Sequence, residues 1–163
     1  SEVKKLKKLK PDGIVILDIG DTPTNLVEQM NEISPVLLID HHIPKKYNIN
    51  YYVNPRLKVR DAYIPTSYLV WKIYKRYFDP KDIDWIAGIG TLADHGVKGN
   101  EDLFREIKKN YPELIVGRIT NDSLFSKSLL GKMVEMVDSS RVVKGSKGAM
   151  FAAKMLIKAR SYE

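Results

Sequence analysis

Apolar runs and polar stops alternate through residues 1–100 in a pattern that predicts strands and helices in turn. Gly13-Ile14-Val15-Ile16-Leu17 is a continuous apolar run closed by Asp18, and Val36-Leu37-Leu38-Ile39 is a second, closed by Asp40. Short unbroken runs of this kind suit strands buried on both faces, as in a parallel sheet. Between them lie the turn Ile19-Gly20-Asp21-Thr22-Pro23 and a predicted helix from Asn25 to Ile33, with Thr24 as its cap and Leu26, Val27 and Met30 on one face. Two strands joined by one helix predict a parallel, right-handed crossover. That topology puts the carboxyl ends of both strands, and so Asp18 and Asp40, on one sheet edge, the edge along which ligands bind.

The flanking segments extend the pattern. Val3 to Lys10 reads as the basic end of a helix, followed by Pro11-Asp12-Gly13 and the first run, so the chain is expected to begin inside a β-α-β unit. Ile49 to Val53 is a short strand ending at Asn54-Pro55. Thr66 to Tyr77 carries Leu69, Val70, Ile73 and Tyr77 at helical spacing, and Asp79-Pro80 is expected to start another helix as cap and first residue. Three further amphipathic, lysine-rich helices are expected at Glu101 to Asn110, Ser126 to Val137 and Ser146 to Ala159. The predicted fold class is α/β, a parallel sheet with flanking helices followed by a helical segment.

Composition narrows the chemistry. The 163 residues contain no cysteine, which removes disulfides, thiolate zinc sites and a cysteine nucleophile, and leaves carboxylates and histidines as the candidate metal ligands. No apolar stretch approaches the roughly 20 residues that span a bilayer, and the start lacks a signal-type apolar region, so a cytoplasmic protein with no membrane partner is expected. The formal charge of +7 suits a polyanionic partner such as nucleic acid. A lysine-decorated surface of the kind found in thermophiles explains the same charge.

Three stretches carry the candidate chemistry. Asp18 and Asp40-His41-His42 end the two apolar runs, and Trp85 to Ala93 delivers Asp94 and His95. Each acidic residue taken singly is explained as a cap or turn former. Together they place several carboxylates at the ends of buried segments, an expensive arrangement that a shared divalent ion relieves. Arg56, Lys58 and Arg60 form a basic stretch after Asn54-Pro55, positioned either for a phosphate backbone or as a solvated loop. Thr66 and Ser67 open a helix and are read as caps or phosphate contacts, while Trp71, Tyr74, Tyr77 and Trp85 fit a core better than a base-stacking surface.

These motifs resemble the DHH phosphoesterase superfamily, in particular its RecJ-like, archaeal-type single-strand exonuclease branch. Ile16-Leu17-Asp18-Ile19-Gly20 is similar to the second family motif, Leu38-Ile39-Asp40-His41-His42 to the third, Val53-Asn54-Pro55-Arg56 to the segment that follows it, and Gly90-Thr91-Leu92-Ala93-Asp94 to the fourth. The resemblance implies a partial DHH core over residues 1–100 and a helical extension over residues 101–163. It also implies a metal-dependent phosphodiesterase that hydrolyses single-stranded DNA or RNA in repair or replication. Asp18, His41 and Asp94 would be metal ligands, with Asp18 bridging two ions about 4 Å apart; His42 would contact the phosphoryl group and Asp40 would orient the histidines. The cofactor would be Mn²⁺, or Mg²⁺, with two ions in the intact protein, and Arg56, Lys58 and Arg60 would bind nucleic acid. Two departures stand out: no His-x-Asp-x-Asp first motif precedes Asp18, and no Gly-Gly-His signature of a carboxy-terminal substrate domain follows. The chain is accordingly expected to be a fragment that holds metal weakly and hydrolyses little. The alternatives are a small-nucleotide phosphoesterase, or a replisome scaffold subunit related to RecJ that binds partner proteins.

Overall fold

The three apolar runs become three parallel strands. In the computed structural model, which describes residues 2–159 and 162, β1 (Ile14–Leu17), β2 (Val36–Ile39) and β3 (Tyr51–Val53) pair in the order β1-β2-β3. Leu17 lies beside Ile39, and Ile39 beside Val53. The ladder continues one residue further: the Asp18 amide donates to the Ile39 carbonyl at 3.0 Å, and the Asp40 amide donates to the Val53 carbonyl at 3.0 Å. All three strands therefore stop in register, and Asp18, Asp40 and Asn54 form one row at the carboxyl edge.

The helix α1 (Glu2–Leu9) precedes β1, and α2 (Thr24–Asn31) connects β1 to β2. Val27 on α2 is fully buried and packs with Ile16, Val36 and Leu38, with Ile14, Met30, Tyr47, Ile49 and Tyr52 around them. Burying such side chains contributes about 1.5–3 kcal/mol each. One expectation is corrected here. The cap of α2 is Pro23, in extended conformation, and Thr24 is the first helical residue. Proline's fixed φ suits the helix entrance, and the Pro23 carbonyl accepts from the amides of Leu26 and Val27. Ile49 sits just outside β3, which begins at Tyr51, opposite Leu37.

Residues Ser1–Thr66 and Ser67–Glu163 form two compact units. In the second unit α4 (Asp84–Ala93) packs with the later helices α5 (Glu101–Asn110), α6 (Asn121–Lys127) and α7 (Leu129–Lys158). The helix α3 (Thr66–Tyr74) is followed by a turn of i→i+3 bonds at Arg76 and Tyr77 rather than continuing helix. Asp79 accepts from the Lys81 amide, and the Pro80 carbonyl accepts from Ile83 and Asp84. The Asp79-Pro80 pair thus builds a turn, and the helix starts later, at Asp84.

The two helices expected after residue 120 are rearranged. Ser126 falls within α6, which Thr120 caps, and Ser128 caps α7 by accepting from the Gly131 amide at 3.0 Å. Gly145 breaks α7 with φ 56° and ψ −139°, a conformation open to glycine and costly for other residues. The arm after the break corresponds to the expected helix from Ser146. Among the described residues no helix is long and apolar enough to cross a membrane.

The second unit is built on fully buried large side chains, among them Trp71, Leu92, Leu103, Phe104, Ile107 and Leu130. Set in this apolar interior is Asp84, itself fully buried. Its carboxylate accepts from the Trp71 indole N–H at 2.6 Å and from the Asn110 amide at 2.9 Å, tying α3, α4 and α5 together. Burial raises its pKa above the usual carboxylate range, against the lowering effect of these two hydrogen bonds. A folded-state pKa above the unfolded value means that the folded chain binds the proton more tightly, so this group's contribution to stability falls as pH rises out of the acid range. Asp84→Asn keeps an acceptor for Trp71 and removes the buried charge. In urea unfolding, the stability of Asp84→Asn relative to wild type is expected to improve as pH rises from about 4 to 7. Asp84→Ala, which leaves two donors unsatisfied, is expected to cost about 2–4 kcal/mol.

Candidate metal centre

The in-register strand ends deliver the functional residues and the turns after them aim the side chains. Asp18 follows β1 in the left-handed region, with φ 58°. Aspartate tolerates this conformation better than most residues, yet it still costs on the order of 1 kcal/mol. The turn closes at once through Thr22, whose hydroxyl donates to the Ile19 carbonyl at 2.9 Å. Asp18 is then held from the far side by the buried Thr66, whose hydroxyl donates to its carboxylate at 2.8 Å.

His41 and His42 leave β2 in different directions, as adjacent residues of an extended chain must. The His41 side chain is 7% exposed and its Nε2 lies 3.3 Å from the Asp18 carboxylate, whereas the His42 side chain is 49% exposed. Their rings meet edge to face with centroids 4.5 Å apart. Asp40, buried behind them, accepts from the His41 amide at 2.8 Å and lies 2.7 Å from His42 Nδ1. With Nδ1–H donating to that carboxylate, the His42 Nε2 carries the ring's lone pair, the state that binds a metal or accepts a proton. Asn54 completes the frame, donating to the His42 carbonyl at 3.0 Å and accepting from the Arg56 amide at 2.9 Å.

One ligand atom each from Asp18, His41 and His42 can be chosen so that all lie within 4.8 Å of one another. Adjacent ligands at about 2.1 Å from an octahedral ion sit about 3 Å apart, close to the Asp18–His41 spacing. A carboxylate with two imidazoles is a donor set for manganese, zinc or iron more than for calcium. The residues fit a divalent transition-metal ion. Beside them lies an open cleft of about 490 Å³ lined by Asp18, Ile19, Gly20, Asp21, His42, Ile43 and Lys45. Lys45 reaches Asp21 at 3.3 Å, an exposed pair of little energetic weight.

The remaining sequence candidates are distributed as follows. Asp94 is in the second unit, where it ends α4 with its amide bonded to the Gly90 carbonyl. His95, beside it at φ 54°, lays its ring against Phe125 with centroids 5.1 Å apart, and its carbonyl accepts from Asn121. Arg56 lies in a 3-10 turn (Pro55–Leu57) and donates through Nε to the Ala62 carbonyl at 3.0 Å, so it braces its own loop. Lys58 and Arg60 on the same loop are exposed. Trp71 and Trp85 are core residues, while Tyr77 is exposed.

Sequence reasoning missed three supports of the site. Thr66 was expected to act as a cap or a phosphate contact, and its hydroxyl instead serves Asp18. Tyr63, a loop aromatic with no periodicity to mark it, lies edge-on to His41 with centroids 5.3 Å apart. Gly20 is the third: a Cβ built there would lie 2.6 Å from Cγ of the His42 ring. The signal was present in Asp18-Ile19-Gly20, but only the fold shows what the glycine makes room for.

No family model, curated protein or solved structure matches the chain. The chemical reading of the site therefore rests on its own residues.

Gly20→Ala is expected to displace the His42 ring while leaving the fold intact. Nitrogen chemical shifts of the His42 imidazole should change, with unfolding transitions close to wild type. Unchanged shifts would show that the ring does not need the space.

Proposed function

We propose that this protein is a divalent-metal-dependent phosphodiesterase of the DHH, RecJ-like kind, acting on single-stranded nucleic acid. The convergence of Asp18, His41 and His42 from the ends of two adjacent strands supports this reading most directly. Asp18 and His41 would hold the ion, with Mn²⁺ the favoured cofactor and Mg²⁺ the alternative. When bound, such an ion lowers the pKa of water and stabilises charge on a phosphoryl oxygen.

The chain's own residues do the rest. Thr66 and the turn at Asp18 hold one carboxylate at the centre without conformational search, which favours preorganised binding. Asp40 fixes the tautomer of His42, a half-exposed residue in the cleft lining, with the lone pair on Nε2, the atom that would accept or return a proton or contact a phosphoryl oxygen. The exposed Lys58 and Arg60, together with the net charge of +7, supply the attraction that brings a phosphate backbone to the site.

A partner-binding role, as in a replisome subunit, is supported by a different observation. Met150, Phe151, Met155 and Ile157 on the second arm of α7 are all more than half exposed, an apolar surface suited to a protein contact. The two roles are compatible in one chain.

With Mn²⁺ in excess, the protein is expected to release nucleotides slowly from labelled single-stranded DNA or RNA, and EDTA is expected to abolish the release. Asp18→Asn and His41→Ala should each lower the rate by at least 100-fold. Asp40→Asn, which acts through His42, should cost about 10- to 100-fold. Degradation that survives Asp18→Asn and His41→Ala alike, measured on purified variants, would rule out the metal assignment.

A further inference from the structure

The cleft beside the metal centre lies between two turns, one after β1 and one after β2, and bonds between those turns fix its rims. Thr22 closes the first turn on the Ile19 carbonyl, and its own carbonyl accepts from the Tyr47 hydroxyl at 3.2 Å. Tyr47 in turn packs edge-on against Tyr52 of β3, with ring centroids 5.3 Å apart. Lys45 stands on the second rim. Its backbone amide is hydrogen-bonded to the Tyr52 hydroxyl, and Pro44 restricts the chain just before it. From this anchored backbone the side chain extends along the cleft lining until its ammonium meets the Asp21 carboxylate of the first rim at 3.3 Å.

The backbone of Lys45 is thus held firmly and its charge only weakly. The Lys45 side chain is 40% exposed and that of Asp21 fully exposed, so water screens their attraction and a second anion can compete for the ammonium. A lysine ammonium is a compact charge with three donors on a flexible stem, able to turn from a carboxylate to a phosphate oxygen while its backbone stays in place. Asp18 and His42 of the metal centre line the same cleft as Lys45, so a phosphate brought to that centre enters the space beside the ammonium. Resting on the phosphodiesterase reading above, we propose that Lys45 is the phosphate-contacting cation of the cleft, exchanging Asp21 for a non-bridging oxygen of the phosphodiester when substrate binds. Asp21 is then an internal competitor. It balances the lysine charge before substrate enters, and each binding event must displace it.

A double-mutant cycle on binding tests the exchange. Fluorescein-labelled oligothymidylate, with phosphorothioate links to suppress cleavage, is titrated by anisotropy in excess Mn²⁺ at several salt concentrations. The proteins are wild type, Lys45→Ala, Lys45→Arg, Asp21→Asn and the Lys45→Ala/Asp21→Asn pair, each checked for an unfolding transition close to wild type. Lys45→Ala is expected to bind about 10-fold more weakly and to flatten the dependence of log Kd on log salt by about 0.7, the loss of one phosphate contact on a single strand. Lys45→Arg, which keeps the charge, should recover most of the affinity. Asp21→Asn should bind about 2- to 5-fold more tightly than wild type, and the same substitution should change little once Lys45 is alanine. Weaker binding by Asp21→Asn, or equal tightening with and without Lys45, would overturn the exchange. Unchanged affinity and salt dependence in Lys45→Ala would overturn it too, and if wild type still hydrolyses DNA or RNA, the phosphodiesterase reading stands without it. Failure of wild type both to bind and to hydrolyse any oligomer removes that reading and the role of Lys45 together.

Discussion

Register is the constraint on which the site depends. Three parallel strands end on the same row, and two backbone hydrogen bonds, Asp18 to Ile39 and Asp40 to Val53, carry the ladder one residue past them. Because side chains alternate along a strand, slipping one strand by a single residue would turn Ile16 and Leu38 out of the core as surely as it would scatter Asp18, Asp40 and His41. The apolar packing of Ile16, Val27, Val36 and Leu38 therefore enforces the geometry of the polar edge. Stability and site geometry share one cause in this unit.

Around that row, two of the polar groups are held by neighbours distant in sequence. Thr66 reaches Asp18 across 48 positions, and Asn54 reaches the His42 carbonyl across 12. Asp40 shows how a buried carboxylate is tolerated: backbone amides and an imidazole share its charge. Asp84 in the second unit is a contrasting case, since its partners are the neutral donors Trp71 and Asn110 and its pKa rises. One acid sits at an open edge beside two histidines, and the other serves as an internal tie between three helices.

Much of this was legible in advance. β2 and α5 fall on the expected residues, and the parallel pairing of β1 with β2 follows from the apolar runs and the helix between them. Strong periodicity and strong burial leave little freedom there. The errors fall where local signals compete. Thr24 looked like a cap, but the proline before it already supplies the helix entrance. Asp79-Pro80 looked like a helix start, but three residues of turn intervene before Asp84.

The residue types at the site were readable from the chain alone, since an acid or imidazole at the end of an apolar run is a local pattern. So were the class of fold, the parallel crossover between the first two strands and the exclusion of thiolate chemistry. Tertiary structure decided which of these groups meet: the approach of His41 to Asp18, the tautomer imposed on His42 by Asp40, the space that Gly20 leaves, and the placement of Thr66 and Tyr63. Those depend on distances between segments separated in sequence, and such distances are set by strand register and side-chain packing, which no local window of sequence contains.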